Sequence, residues 1–478
     1  MRRLSRLLVL IVVTTMLVAA LQPTEELRSA TPEPALWVDG ASPACTDAQA
    51  RVLDAVRPYC TVARAASLVA PGDTVRIAPG RYAGVVRPVR GGTPDQPIRF
   101  VADAPGVVLD GAGAANTVRL IGTGDVRFEG LEITGGLNQG VWIDAADRVV
   151  LDHVRVRANA GAGVQVKSGA GTLVTAGTIE GNGRAGLLEL AAGRATTVAD
   201  SVVTGNGRDG LPYNGDGLQL GGTGGEVARS DISDNGDSPY EHGIYTSAAA
   251  AGFRIRDNRL AANAGANIKA AGTGEIVGNR LADGRWGIIL SDNPDRVQVT
   301  QNVIGGSAQH LVFLTAGTTA ARAILTQNTI AQRGRSTTAG DASAVFVVAA
   351  DDLELHDNLV AYTGADAAGV SIALNDTTRV GRLLSDTNWW TANDGQSRHL
   401  ALDGSRVTLQ TWHARTGRDL RSLTSWAPLF DPDLRVTSTN WGARRGDNLG
   451  LATDFAGEPR PASGPVDIGA YNAIPMTG

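Results

Sequence analysis

The sequence predicts an all-β chain wound as a right-handed parallel β-helix, a solenoid of stacked coils. Two observations predict this fold. Between Leu131 and Val360, a glycine followed by alternating apolar and polar residues recurs at an irregular period of roughly 20 to 30 residues. An upstream small polar residue recurs with it and becomes asparagine in the later repeats. No amphipathic helix pattern lies between the repeats, so a fold of alternating strands and helices is excluded.

The recurring motif is predicted to be one strand of each coil, with side chains alternating between two faces. The predicted strands are residues 140–144, 163–167, 186–190, 217–221, 243–247, 267–270, 287–291, 311–314 and 369–373. Alternation places Val141, Val164, Leu188 and Leu190 among the inward residues. The outward row is then Trp142, Gln165, Glu189, Gln219, Tyr245, Lys269, Ile289 and Phe313. Coils stack at about 4.8 Å, so this row forms a stripe that suits a sugar chain or is an ordinary solvated face.

Polar residues mark two corners of each coil. Asparagine tolerates the left-handed backbone region and can hydrogen-bond along a stack, so these positions are interpreted as structural. The first set is His153, Ser201, Asp231, Asn258, Asn279, Asn302, Asn328 and Asn358, and the second is Asn159, Asn182, Asn206, Asn235, Asn263 and Asp283. Two strands and two corners per coil are therefore expected.

The lysines are unusually few. Of 43 Lys plus Arg residues only Lys167 and Lys269 are lysines, and both are predicted to point outward on the same sheet. A lysine amine can lose its proton in a suitable environment, which an arginine cannot do. The pair therefore indicates chemistry on this face, with chance placement as the alternative.

Two adjacent coils carry extra residues just before the strands that hold Gln219 and Tyr245. The corner asparagines there are 29 and 28 residues apart, against 23 or 24 in the two preceding coils. The longer loops contain Tyr213 and Tyr240, several acidic residues and His242. Insertions in a solenoid gather on one face, often the binding face, although tolerated surface insertions are the alternative.

The chain ends predict an exported protein. Residues 1–20 read as a signal peptide, with arginines, then an apolar run, then small residues. Export makes Cys45 and Cys60 a predicted disulfide. Residues 61–70 read as a short helix that covers the open end of the solenoid. The expected division is a cap and first coils at 36–110, the β-helix at 111–375, and C-terminal coils with a cap at 376–478.

Composition excludes several classes of protein. With 60 glycines, 5% aromatic and 19% charged residues, the chain is turn-rich and globular. Its formal net charge is −5 and it has no cluster of basic residues, so a nucleic-acid partner is not expected. No P-loop, dinucleotide fingerprint or zinc spacing occurs. We expect a secreted monomer with no membrane segment after signal cleavage.

Several segments resemble secreted β-helix repeat proteins of the pectate-lyase-like superfamily. The resemblance lies in residues 60–61 leading into 70–75 and 78–82, in the asparagine-bearing coils, and in residues 467–471. It implies the fold, export and a carbohydrate partner. Activity stays open, because that superfamily includes lyases, hydrolases, epimerases and proteins without known catalysis.

Three catalytic patterns of that superfamily can be compared with this chain. Residues 267–269 resemble the strand that carries the catalytic base in alginate and chondroitin lyases. In those lyases the acid is an arginine on the next coil. In this chain the only arginine close to the next predicted strand is Arg285. Residues 214–216, 241–243 and 267–269 resemble three of four polygalacturonase segments. Residues 240–242 share residue types with mannuronan epimerases, which leaves epimerisation as a further alternative.

The favoured prediction is a lyase that cleaves a uronate-containing polysaccharide by β-elimination. Lys269 or His242 would be the base and Tyr245 the acid. The predicted substrate-binding residues are Trp142, Gln165, Lys167, Gln219, Tyr213 and Tyr240, and the predicted calcium ligands are Glu189, Asp209, Asp216 and Glu241. Paired carboxylates from Asp209 or Asp216 with Glu241 would instead suit a hydrolase. A non-catalytic glycan-binding or surface protein is the alternative from another class.

Overall fold

The computed structural model describes residues 35–208, 210, 215–306, 309–316, 321–332, 343–363, 369–392, 398–426, 428–437 and 444–472. The predicted signal peptide at 1–20 lies outside this range. Over the described residues the chain is all-β and winds as a right-handed parallel β-helix, as the sequence predicts.

Each regular coil contributes three strands, where the sequence predicted two, so three parallel sheets line the solenoid. Sheet 1 contains Ala35–Val38, Thr74–Ile77, Ile98–Ala102, Val126–Glu129, Val150–Asp152, Leu173–Thr175, Thr197–Ala199, Glu226–Ala228, Ala251–Arg256, Val297–Thr300, Arg322–Thr326, Ala350–His356 and Val380–Asp386. Sheet 2 contains Gly80–Ala83, Val107–Asp110, Glu132–Thr134, Arg155–Arg157, Thr178–Glu180, Val202–Thr204, Asp231–Ser233, Arg259–Ala261, Arg280–Ala282, Val303–Gly305, Thr329–Gln332, Leu359–Tyr362, Trp389–Ala392 and Leu423–Trp426.

Sheet 3 carries the predicted outward row. It contains Asn116–Ile121, Gln139–Asp144, Ala162–Ala170, Leu187–Arg194, Leu218–Leu220, Ile244–Thr246, Ala266–Val277, Trp286–Pro294, Val312–Leu314, Ser343–Val347, Val370–Leu374 and Leu400–Leu402. The strand Ala266–Val277 begins in sheet 3 and continues into sheet 1, where it pairs with Val297–Thr300. Ser405–Val407 closes the sheet as an antiparallel hairpin partner.

The inward residues of the three sheets form one continuous apolar core. In sheet 3 the buried row is Val141, Val164, Leu187, Leu218, Ile244 and Ile268. The pairing of Leu187 with Val164 shows that the predicted inward orientation of Leu188 and Leu190 is wrong. Glu189, predicted to point outward, instead points into the core and is fully buried.

Two hydrogen-bonded ladders run along the corners, as the sequence predicts. One contains Asn159, Asn182, Asn206, Asn235, Asn263 and Asn267, and the other contains Ser201, Ser230, Asn258, Asn279, Asn302, Asn328, Asn358 and Asn388. In most steps the asparagine Oδ1 accepts the backbone N–H and the Nδ2 of the preceding asparagine. Each ladder amide therefore satisfies buried polar groups of two coils.

Three predicted corner positions need correction. Ser230 occupies the ladder place that was assigned to Asp231, and Asn267 takes the place of Asp283. The His153 side chain is 71% exposed and lies outside the ladder. The left-handed backbone belongs to the residue before the ladder amide, as at Asp257 with φ 58°.

Both ends of the described chain are sealed. Cys45 and Cys60 form the predicted disulfide, with a Cα–Cα distance of 5.0 Å. The predicted capping helix is Val62–Ala66, and Thr61 caps its first turn by accepting the Arg64 N–H. At the other end the helix Leu409–Thr416 buries Trp412, whose Nε1 donates to Asp419 at 2.8 Å. A single 3-10 turn lies at Thr377–Arg379.

No helix within the described ranges has the length and apolar character needed to cross a membrane.

Candidate active site

The outward face of sheet 3 forms the stripe that the sequence predicted, with one substitution. Strand pairing aligns Trp142, Gln165, Leu188, Gln219, Tyr245, Lys269, Ile289 and Phe313. Leu188 takes the place that was assigned to Glu189. The stripe therefore carries an apolar position between two glutamines.

Lys269 is a partly buried residue of this stripe. Its side chain is only 24% exposed, and its Nζ forms an ion pair with Asp292 at 2.8 Å. The ammonium lies 5.1 Å from the centre of the Tyr245 ring on the preceding coil. Contact with a ring face stabilises the cation, so amine and phenol are held side by side.

The two long loops place a second group of side chains at the edge of sheet 3, immediately before the strands with Gln219 and Tyr245. Asp216, Glu241 and His242 are all buried there. The His242 backbone N–H donates to Asp216 Oδ1 at 2.7 Å, which joins the two loops. The rings of His242 and Tyr245 stack with their centres 6.2 Å apart.

Glu241 is held by its own loop. Its Oε2 accepts the backbone N–H groups of Asp237 at 2.8 Å and Ser238 at 3.0 Å. Its Oε1 is buried without a hydrogen-bond partner among the described residues. A carboxylate with one occupied oxygen and one open oxygen is held in place yet can still receive a proton or a donor.

Glycines make this close packing possible. A Cβ at Gly215 would lie 2.7 Å from Glu241 Oε1, and one at Gly265 would lie 2.7 Å from His242 Nδ1. Both distances are shorter than side-chain carbons tolerate. Larger residues at these two positions would therefore displace the buried acid and imidazole.

Burial from water shifts the pKa values of Asp216, His242 and Tyr245. The pKa of Asp216 is raised to about 7, chiefly by burial and also by the Glu241 charge, while the His242 backbone N–H and the Lys269 charge act to lower it. Burial lowers the pKa of His242 to about 3, and the Lys269 charge acts in the same direction. Burial also raises the pKa of the Tyr245 phenol. At neutral pH the site therefore holds a neutral imidazole, a phenol and a carboxyl that is partly protonated.

The tautomer of His242 follows from its surroundings. Its Nδ1 accepts the Ala266 backbone N–H at 3.0 Å. A ring nitrogen that accepts an N–H carries no proton, so the neutral ring is protonated at Nε2. His242 is consequently a donor through Nε2, which weakens the prediction that it is the base.

A groove extends the site toward the first coils. A cavity of about 250 Å³ lies beside the stripe, and its lining includes Gln139, Gln165, Arg184, Leu188 and Gln219. Gln139 Nε2 donates to Gln165 Oε1 at 2.6 Å. Amide groups beside an apolar side chain are well suited to the hydroxyls and the apolar face of a sugar ring.

The second lysine forms a similar unit on the strand that carries Gln165, two residues beyond it. Lys167 Nζ pairs with Asp144 at 2.9 Å and lies 6.0 Å from the centre of the Trp142 ring. Its side chain is 50% exposed. Both lysines thus point outward from sheet 3, as the sequence predicted.

The other predicted site residues are more scattered. Tyr240 is 59% exposed on its loop. Arg285 is exposed, and its guanidinium lies 4.8 Å from the centre of the Trp286 ring. Tyr213 and Asp209 lie outside the described residues.

The three predicted calcium ligands that the structure describes, Glu189, Asp216 and Glu241, do not assemble into a calcium site. Calcium takes about six to eight oxygen ligands, but Glu189 faces the core, where its Oε2 accepts the Gly222 N–H at 3.1 Å. Asp216 and Glu241 already accept backbone N–H groups. Across the described part of the chain, no three His, Cys, Asp or Glu side chains form a group that could hold a metal. These residues do not fit calcium, so calcium has no part in the chemistry proposed below.

Sequence reasoning missed Asp292, Gln139, Arg184 and the outward Leu188. Asp292 and Asn293 both have left-handed backbones, with φ of 57° and 69°, and precede Pro294. An Asp-Asn-Pro run is a turn signal that could have placed an acid at the end of the strand after Lys269. The groove residues carry no such signal, because only the stacking of the coils brings them together.

The stacked sheets and the outward groove define the class of this molecule: it is a right-handed parallel β-helix protein. A family model described as right handed beta helix region matches residues 116–280. A second model, described as periplasmic copper-binding protein NosD, matches residues 199–382. No curated protein matches the chain.

Solved structures resemble the chain at low identity. The complex structure of XylC with xylose is 10% identical, covers 92% of this chain and 98% of that chain, and has a TM-score of 0.55. Pectate lyase Pel9A is 17% identical over 87% of this chain and 92% of that chain, with a TM-score of 0.45. A mannuronic acid specific polysaccharide family 6 lyase from human gut microbiota is 13% identical, covers 76% of this chain and 88% of that chain, and has a TM-score of 0.47. The likeness to XylC, with a TM-score of 0.55 at 10% identity, shows the fold alone.

Proposed function

We propose that this protein is an exported polysaccharide lyase that cleaves a uronate-containing chain by β-elimination. The observation that carries the proposal is Lys269, a partly buried amine beside the Tyr245 phenol on the outward stripe, one coil beyond Gln219 of the amide-lined cavity. The acids and the imidazole lie behind these two groups rather than in the groove. A proton-transfer pair therefore faces the substrate.

In β-elimination a base removes the proton next to the uronate carboxyl carbon. The electrons form a carbon–carbon double bond, and the leaving oxygen takes a proton from an acid. Lys269 is the proposed base, which requires its ammonium first to lose the proton that the Asp292 carboxylate and the Tyr245 ring stabilise. Tyr245 is the proposed acid, because its raised pKa keeps the phenol protonated near neutral pH. The products are an unsaturated sugar and a new reducing end.

The buried group has supporting roles in this proposal. Neutral His242 stacks on Tyr245 and holds its ring, while its backbone N–H fixes Asp216. A partly protonated Asp216 limits the negative charge behind the groove.

Export rests on two features. The Cys45–Cys60 disulfide persists only in an oxidising compartment. The predicted signal peptide at 1–20 gives the route. Copper, which the name of the second family model carries, is not part of the proposal, since no three His, Cys, Asp or Glu side chains among the described residues form a group that could hold a metal.

The test is ultraviolet absorbance during incubation with alginate, pectate and glycosaminoglycans, because each elimination creates an absorbing double bond. We expect wild type to give rising absorbance on one of these polymers. Lys269→Ala should lower the rate by about 10²- to 10⁴-fold, the usual contribution of a general base. The matched control is Arg254→Ala, which removes an exposed cation that faces Glu275 of the Lys269 strand.

The outcomes separate the classes of function. A Lys269→Ala variant as active as wild type would remove Lys269 from the mechanism. New reducing ends without absorbance would replace the lyase with a hydrolase. Neither signal on any polymer would favour a glycan-binding or structural protein.

Hydrolysis is the second candidate, and one observation favours it. The pKa of Asp216 is raised to about 7, as a general acid of a glycosidase requires. Glu241 would be its partner carboxylate. Both are buried, which favours the lyase. Asp216→Asn would abolish reducing-end release by a hydrolase, whereas a lyase should keep much of its activity.

A further inference from the structure

We propose that Lys167 with Trp142 is a second carboxylate-binding position, which anchors an acidic chain four coils away from the bond that is cut. This inference rests on the proposed function and deepens it. It assigns the substrate class as a polyanionic chain long enough to reach both lysines. Lys167 would be a specificity-determining residue rather than a catalytic one.

The first support is a repeated arrangement of three side chains. Around Lys269 it consists of the Tyr245 ring, the ammonium and Asp292. Around Lys167 it consists of the Trp142 ring, the ammonium and Asp144. In both units the ring belongs to the stripe on the coil before the lysine. A ring plate next to an ammonium can contact the apolar face of a sugar and its carboxylate together.

The second support is residue choice. Every other basic side chain among the 43 is arginine, including those that form ion pairs between coils on the other faces. Arginine forms such bidentate pairs better than lysine does. Stability between coils therefore does not explain a lysine at 167.

The third support is the position of the two units. The Lys167 and Lys269 strands are separated by three strands of sheet 3, which gives four steps of about 4.8 Å, or about 19 Å. Between the two units the outward stripe carries the neutral side chains Leu188 and Gln219, and the cavity beside it is lined by Gln165 and by Arg184. An extended chain could thus place one carboxylate on each lysine and its intervening rings on amides.

The fourth support is exposure. The Lys167 side chain is 50% exposed and that of Asp144 only 21%. Asp144 also accepts the Ser168 hydroxyl at 2.7 Å, so the carboxylate stays satisfied when the ammonium moves. The ammonium can therefore turn to a substrate carboxylate without leaving a buried charge unpaired.

The test is the dependence of affinity on oligomer length. Calorimetry would use oligomers of polygalacturonate and of alginate, from dimers to octamers, in a Tyr245→Phe background so that they are cut only slowly during the titration. Lys167→Ala should weaken binding of hexamers and longer chains by about fivefold to tenfold, as loss of a partly exposed charged contact predicts. Dimers, which reach one unit only, should change less than about twofold.

Two further variants isolate the charge. Lys167→Arg should recover more than half of the lost affinity, and Arg254→Ala should bind all lengths as the parent does. Equal weakening for neutral xylo-oligomers would overturn recognition of a carboxylate. An unchanged dissociation constant at every length would overturn the anchor while leaving cleavage at Lys269 intact. If no acidic oligomer binds even to the parent, the anchor and the proposed function both fail.

Discussion

Two units on one sheet each consist of an aromatic ring, a lysine and an aspartate, yet only one of them has the features of a reaction centre. Lys167 is 50% exposed beside Trp142, whereas Lys269 is 24% exposed beside Tyr245. The difference lies in what surrounds them. Behind Tyr245 lie a buried imidazole and two buried acids, which the two long loops supply. An exposed ammonium can bind a carboxylate, but proton transfer requires an environment that sets protonation states.

The local sequences of the two units do not account for this difference. Gly163 and Gly243 begin equivalent strands, and the same asparagine ladder supports both corners. The extra residues before Gln219 and Tyr245 create the buried group, and the small residues Gly215 and Gly265 give it room. Function is thus built on a regular scaffold by insertion at one level of the stack.

The largest difference in kinetic effect is expected between substitutions of the two aromatic rings, Tyr245 and Trp142. Tyr245→Phe keeps the ring over Lys269 and removes only the hydroxyl, so kcat on a cleaved polymer should fall by about 10²- to 10³-fold. Trp142→Phe should act mainly on KM for long chains, because that ring contacts substrate far from the reaction. Steady-state kinetics on short and long oligomers check both, and a Tyr245→Phe enzyme with wild-type kcat would contradict the assigned acid.

Replacing ladder asparagines near and far from the long loops should distinguish effects on stability from effects on activity. Asn235 and Asn302 each donate Nδ2 to two backbone carbonyls and one asparagine Oδ1. Replacement of either by Ala should lower the free energy of unfolding by about 2 to 4 kcal/mol, because buried partners lose their hydrogen bonds. Only Asn235→Ala, beside the long loops, should also lower kcat. Denaturant unfolding and kinetics on the same samples test this, and equal loss of kcat would remove the distinction.

Stability as a function of pH should reveal the buried group. The pKa of Asp216 is raised to about 7 when folded, so this group makes stability fall as pH rises from about 4 to 7. The pKa of His242 is lowered to about 3, which makes stability rise between about 3 and 6.5. The two effects oppose each other in wild type.

Asp216→Asn removes the falling component. The variant's free energy of unfolding should therefore rise more steeply than that of wild type between about pH 4 and 6.5. Denaturant unfolding at several pH values measures the slope, with Asp144→Asn as the control for an exposed carboxylate. Parallel curves for wild type and Asp216→Asn would show that Asp216 titrates normally.

The smallest effect is expected at the exposed ion pair. Asp144→Asn should change the free energy of unfolding by less than about 1 kcal/mol, since exposed salt bridges contribute little. Its effect should shrink further in high salt. Thermal unfolding in low and high salt provides the measurement, and a larger loss would show that the Lys167 unit is structural.

The sequence predicted the fold, the disulfide, both corner ladders and seven of eight residues in the outward row. These features follow from local periodicity and from residue types that suit one backbone conformation. The failure at Glu189 has a specific cause. Residues 187–190 read Leu-Leu-Glu-Leu, so apolar side chains occupy both parities and alternation cannot choose the face. Sheet 1 was missed because several of its strands, such as Val150–Asp152 and Leu173–Thr175, have only three residues, too few to show a period.

The sequence by itself determined the solenoid and placed its two lysines on one face, because strand alternation and turn chemistry act over a few residues. Only the tertiary structure decided that Asp292 pairs with Lys269, that His242 accepts the Ala266 N–H, and that Glu189 lies in the core. Such contacts join residues of different coils. Their strength depends on burial and on the register of stacked strands, which no short segment of the chain specifies.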